Sequence, residues 1–166
     1  MTVSATHIAD TGFFVALGQP TNHRYRRVRT FAERNEIVFL IPERVYEELT
    51  EPASETATID IAIEEGWVTV SESLDYTVPL VSKTMDGVQR YIANADERPE
   101  DEIERADAAL GGLAAKVLAE ESASSVYIYT PDIAAGEGVE TVLGSQGYKD
   151  SITFVNAFQF IDELMD

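Results

Sequence analysis

The chain of 166 residues contains no cysteine, so disulfides, zinc-thiolate sites, iron-sulfur clusters and thiol nucleophiles are excluded by inventory. Its two histidines, His7 and His23, are too few and too far apart for an imidazole metal site or a catalytic triad. No apolar run is long enough to cross a bilayer; Ile37 to Ile41 is among the longest. The N-terminus lacks the charged start and apolar stretch of a signal peptide, so a cytoplasmic protein without a membrane partner is expected. With 10 Gly and 6 Pro against 45% hydrophobic residues, the chain is neither low-complexity nor disordered. Lysine is also scarce: Lys83, Lys116 and Lys149 are the only three among 12 basic residues, against 30 acidic ones and a net charge of -18. Such a balance would repel a polyanion in dilute solution, but it is the balance of proteins that work in a salt-saturated cytoplasm. There the Debye length falls to about 3 Å, and only local charge matters.

What is present is a regular alternation of apolar runs and turn signals. Thr6 to Ala9 reads as a strand ending at Asp10, and Thr11 to Leu17 as a helix closed by Gly18 and Pro20. Asn22 caps a second helix whose Tyr25, Val28 and Phe31/Ala32 share one face, the other face being basic. Ile37 to Ile41 has the continuous apolar character of a strand buried on both faces of a parallel sheet. Pro42 opens a helix through Val45 and Leu49, residues 55 to 65 form a short helix stopped by Gly66, and Trp67 to Val70 is a strand. Val78, Val81, Met85, Val88 and Ile92 recur at helical spacing before a loop from Asn94 to Pro99. A helix from about Glu100 to Glu121, a strand from Val126 to Tyr129 and a helical Val139 to Leu143 closed by Gly144 follow. Strand Ile152 to Val155 and a helix ending near Met165 complete the chain. This order predicts one α/β domain over residues 1–166, with a mainly parallel sheet between helices.

In such sheets, sites form beyond the carboxyl ends of strands where the strand order reverses. Asp10 ends the first strand, and Asp132 follows the strand through Thr130. Asp107 lies four residues after Ile103 and three before Leu110, on the apolar stripe with Ala114 and Val117. A lone carboxylate there must take up a proton, serve a site, or pair with Arg105 or another arginine. Glu48 falls at the inward edge of its helix, with Glu47 as the alternative. Asp10-Thr11-Gly12 reproduces the short signature of aspartic proteases, but those are all-β and need a second such turn, whereas here the triplet occurs once and enters a helix. A haloacid-dehalogenase-type phosphatase would want an aspartate where Gly12 stands.

The segments Ile8-Ala9-Asp10-Thr11-Gly12-Phe13-Phe14, Ile41-Pro42-Glu43-Arg44-Val45-Tyr46-Glu47-Glu48-Leu49, Ala106-Asp107-Ala108-Ala109-Leu110, Tyr129-Thr130-Pro131-Asp132 and Ile152-Thr153-Phe154-Val155 resemble, in order and spacing, the PIN-domain family, including the VapC-type toxins. With the acidic composition, the resemblance points to a halophilic archaeon. It implies a three-layer α/β/α sandwich around about five strands, and a metal-dependent endoribonuclease that hydrolyses RNA phosphodiester bonds. Asp10, Glu48, Asp107 and Asp132 would be its catalytic and metal-binding residues, with Thr130 and Thr11 in support. It implies further the setting of a toxin-antitoxin system, with an antitoxin protein and a homodimer as partners. The chain departs from the family's pattern at Gly12, where many members have Asn or Ser, at Pro131, which replaces a polar residue, and in a longer stretch over residues 71 to 100. Those departures keep open a catalytically inactive PIN-like module that binds RNA or protein.

Physical chemistry points the same way as the resemblance. Four converging carboxylates repel one another unless a divalent cation neutralises them, and oxygen ligands without His or Cys favour Mg2+ or Mn2+. Such an ion activates a water for in-line attack, leaving a 3′-hydroxyl and a 5′-phosphate. Arg24, Arg26, Arg27, Arg29 and Arg34 crowd one helix beside His23 and Tyr25. That face suits RNA phosphates and bases, or alternatively an antitoxin or a dimer partner.

Overall fold

The computed structural model describes residues 4–51, 57–103 and 105–166, with the backbone alone for Arg105. The expected helix start at residue 55 and the side chain of Arg105, an expected partner for Asp107, lie outside the described residues. Among these residues five strands form one wholly parallel sheet: β1 (Ala5–Ala9), β2 (Phe39–Ile41), β3 (Val68–Val70), β4 (Ser125–Thr130) and β5 (Ile152–Asn156), in the order β3-β2-β1-β4-β5. The chain moves outward from β1 through β2 to β3, then returns past β1 to lay down β4 and β5. The order therefore reverses between β1 and β4, where Ile8 stands opposite Ile128 and Ala9 opposite Tyr129. That is the switch point at which open parallel sheets leave a crevice.

Eight α-helices among the described residues cover the sheet: α1 (Thr11–Leu17), α2 (His23–Arg34), α3 (Glu43–Thr50), α4 (Thr58–Glu65), α5 (Pro79–Asp96), α6 (Arg105–Ala119), α7 (Ile133–Leu143) and α8 (Ala157–Met165). Side chains alternate across each strand, which divides the core in two. Ile8, Val126, Ile128 and Ile152 pack with Val88, Leu110 and Val139 of α5, α6 and α7. Ala9, Phe39, Ile41 and Tyr129 pack on the other face with Phe13, Tyr25, Trp67 and Ile161. The result is the expected three-layer α/β/α sandwich.

Four local features differ from the sequence reading. The strand expected from Ile37 begins only at Phe39, because Ile37 N–H bonds Ala32 O at 2.8 Å and so still closes the end of α2. The long helix expected from Glu100 is a 3-10 turn, Glu100–Glu102, followed by extended backbone at Ile103 and then α6. Ile103 is nonetheless buried, and Asp107 sits in the first turn of α6, where the helix dipole favours a carboxylate, rather than in mid-helix. Helix α7 starts at Ile133, well ahead of the expected Val139. Gly136 and Gly138 weaken the helical signal there, but Gly136 is demanded by packing: a Cβ on it would lie 2.2 Å from Phe154 Cδ1.

Candidate active site

Asp10 follows directly on β1 and caps α1. Its Oδ1 accepts the Phe13 N–H at 3.1 Å, and its Oδ2 accepts the buried Thr130 hydroxyl. Thr130 ends the neighbouring β4, and its Oγ1 in turn accepts the Asp132 N–H at 3.1 Å. Asp132 repeats the capping device on α7, accepting the Ala135 N–H at 3.1 Å. Two carboxylates thus stand at the starts of two helices on either side of the switch point, coupled through one threonine. The geometry follows from local sequence: a strand, an Asp with extended backbone, then residues free to turn into a helix.

Asp10 is only 6% exposed. Burial raises its pKa from the usual 3.8 to about 6, the nearby Asp132 charge adds to the rise, and the Thr130 and Phe13 hydrogen bonds oppose it. The ionised carboxylate is therefore held at a cost that a nearby cation would offset.

Glu48 reaches the same corner from α3: its Oε1 accepts the Thr11 hydroxyl at 2.6 Å, one residue beyond Asp10. Glu47 faces elsewhere, paired with Arg44 at 3.0 Å. Asp107 is partly buried in the first turn of α6, a helix that packs against β1, β4 and α3 and so has its amino end at the same edge of the sheet.

The donor set fits a hard cation, being oxygen throughout. Among the described residues no three Asp, Glu or His side chains are grouped closely enough to share one ion. A two-carboxylate arrangement is still compatible with Mg2+, which keeps several waters and takes few protein ligands. Asp10 and Asp132 are close enough for the charge of Asp132 to raise the pKa of Asp10, and Glu48 is tied by one hydrogen bond to Thr11, the residue after Asp10.

The basic face of α2 is partly used inside the fold. Arg24 donates to Ala16 O at 2.8 Å, and Arg29 pairs with Glu65 at 2.6 Å and lies over the Tyr25 ring. Arg26, Arg27 and Arg34 are exposed, with no ion pair among the described residues. The Arg29 contact with Glu65, 36 residues away, carries no short-range sequence signal. Neither does the Thr11 contact with Glu48.

No match was found among curated proteins. Residues 3–166 match the model of the halobacterial PIN domain, a nuclease-type fold, and the chain belongs to that family.

Proposed function

We propose that the protein is a Mg2+- or Mn2+-dependent endoribonuclease whose site is Asp10, Glu48, Asp107 and Asp132. PIN domains are generally nucleases and typically bind divalent metals. The observation that carries the reading is the buried Asp10, coupled through Thr130 to Asp132 at the switch point of the sheet, with its pKa driven up by burial and by that second carboxylate. When bound, the cation would neutralise these groups, polarise a phosphodiester oxygen and acidify a water.

The chain's own residues do the positioning. Thr130 orients Asp10 and fixes the backbone of Asp132; the N–H groups of Phe13 and Ala135 hold one oxygen of each carboxylate. Thr11, the residue after Asp10, anchors Glu48 by a hydrogen bond. Arg26, Arg27 and Arg34 offer phosphate contacts away from the carboxylates.

Thermal melting during a Mn2+ titration tests the site. Ligand binding to the folded state alone adds about 2.7 kcal/mol at a hundred times Kd, so the melting temperature should climb with Mn2+, and Asp10→Asn should remove the climb. Equal responses from the two proteins would reject the site. The toxin setting has its own test: expression should arrest growth, and Asp10→Asn should relieve the arrest. RNA binding without cleavage, indifferent to chelator and to Asp10→Asn, would instead identify an inactive binding module.

A further inference from the structure

A groove of about 650 Å³ opens between α3, α5 and α6, with buried Ile103 in its wall. Four carboxylates line it, Glu43, Glu47, Glu72 and Asp86, and among its described lining residues Arg44 alone is cationic. In a chain with 12 basic residues against 30 acidic ones, a cation set among carboxylates calls for a reason. Its ion pair does not supply one. Arg44 meets Glu47 at 3.0 Å, one turn along α3, with both side chains about half exposed, and exposed pairs of this kind contribute little to stability.

Strand register places Arg44 at the site. Ile8 of β1 stands opposite Leu40 of β2, and carrying that pairing on by two residues sets Pro42 level with Asp10, about 4.8 Å across the sheet. Pro42 holds the N-cap position of α3, so Arg44, the second residue of the helix, lies just past the strand end beside Asp10. Helical side chains lean toward the amino end of their helix, which here is the end that meets the carboxyl edge of the sheet. The helix is tied to that corner by Glu48, whose Oε1 accepts the Thr11 hydroxyl at 2.6 Å.

Around α3, Arg44 lies about 40° from Glu48 and about 60° from Glu47 on its other side, with its Cβ about 5–6 Å from the Cβ of each. It thus stands between a residue of the site and an exposed one. Ala108, next in sequence to Asp107, shares the groove wall with Arg44, and α3 packs against α6. Arg44 therefore borders the gap between α3 and the first turn of α6.

Charge decides what this arginine receives. A phosphodiester brought to Asp10, Glu48 and Asp132 is an anion entering a corner of acids, and a guanidinium fork matches two of its oxygens. Contact at hydrogen-bond distance acts within the screening length of about 3 Å in concentrated salt, where long-range attraction fails. Releasing the exposed Glu47 costs little.

We propose that Arg44 leaves Glu47 when RNA binds and grips the scissile phosphate, offsetting the negative charge that builds on its oxygens as water attacks. The proposal rests on the nuclease reading and adds the group that meets the substrate's anion.

Steady-state cleavage of a single-stranded RNA oligonucleotide with Mn2+ at molar KCl tests it, on wild type, Arg44→Ala, Arg44→Lys and Glu47→Gln. Arg44→Ala should lose about 100-fold in kcat, the scale for removing one donor from a developing charge, with a smaller change in KM. Lysine, a point charge without the fork, should recover part of the loss, and guanidinium ion added to Arg44→Ala should recover part of it as well. Glu47→Gln breaks the same ion pair and should keep wild-type kcat. The melting temperature in chelator, and its rise with Mn2+, should match wild type in all three variants. Wild-type kcat in Arg44→Ala, or a rise in KM alone, overturns the phosphate contact and leaves the nuclease reading standing. So does a Glu47→Gln enzyme as slow as Arg44→Ala, which would make the ion pair the functional element, and so does loss of the Mn2+ response in Arg44→Ala, which would make Arg44 a support for the carboxylates. A wild-type protein that cleaves no RNA with any divalent metal overturns both.

Discussion

Gly12 and Pro131 interlock above Asp10. A Cβ built on Gly12 would lie 2.5 Å from Pro131 Cγ and 2.9 Å from its Cδ, with Asp10 Oδ1 at 3.6 Å. These are the two positions at which the motifs depart from the family's pattern, and the structure makes them one feature: the proline ring occupies the space that a side chain at residue 12 would need. Replacing Gly12 by Ser in the presence of Pro131 should cost about 1–3 kcal/mol through overpacking. Replacing Pro131 by Ser as well should recover part of that cost. Denaturant unfolding of the two single variants and the double variant checks the coupling, expected at about 0.5–3 kcal/mol.

The raised pKa of Asp10 fixes a pH dependence. A carboxyl that binds its proton more tightly folded than unfolded stabilises the fold at low pH, and loses that contribution as pH rises from about 4 to about 6. Asp10→Asn has no such dependence. Without divalent metal, the variant should therefore become more stable than wild type across that window, by up to about 3 kcal/mol above it. Unfolding of both proteins at constant salt in chelator, at several pH values, measures the gap; a gap that does not grow with pH contradicts the burial of Asp10.

The hydrogen bond from Thr11 separates two adjacent glutamates. Glu48→Gln should reduce RNA cleavage by about 100-fold or more, the scale for a group that stabilises charge at a reacting centre. Glu47→Gln, which removes only an exposed pair with Arg44, should leave turnover near wild type. Initial rates under saturating Mn2+ decide between them.

The arginines of α2 divide in the same way. Arg29→Ala removes a partly buried pair with Glu65, which also accepts from Tyr25 and Trp67, and should lower stability by about 1 kcal/mol. Arg26→Ala with Arg27→Ala should leave the melting temperature unchanged and flatten the salt dependence of RNA binding, by about 0.7 in the log-log slope for each phosphate that is no longer neutralised.

Much of the fold is legible in the sequence because local chemistry and tertiary role agree. Asn22 caps α2, as its side chain and the apolar spacing behind it require, and Gly66 ends α4 ahead of a strand. Legibility fails where a distant neighbour overrides local preference. Gly136 and Gly138 weaken the helical signal at the start of α7, yet Phe154 from β5 requires the first of them. Ile103 reads as helical because its spacing to Leu110 is helical, whereas its buried place in the groove is reached by extended backbone before α6. For the site, strand ends point to Asp10 and Asp132 and the apolar stripe around it marks Asp107, while Glu48 stands out through family resemblance more than through its own surroundings. The links between Thr11 and Glu48 and between Thr130 and Asp10 span 37 and 120 residues; no short-range pattern encodes them.

Metal-dependent RNA hydrolysis by these carboxylates is tested most directly by cleavage of a single-stranded RNA at molar salt. Cleavage should stop on complete removal of divalent ions, return with Mn2+ or Mg2+, leave 5′-phosphate ends, and be abolished in Asp10→Asn. Cleavage that persists after metal removal, or is unchanged in Asp10→Asn, would contradict it.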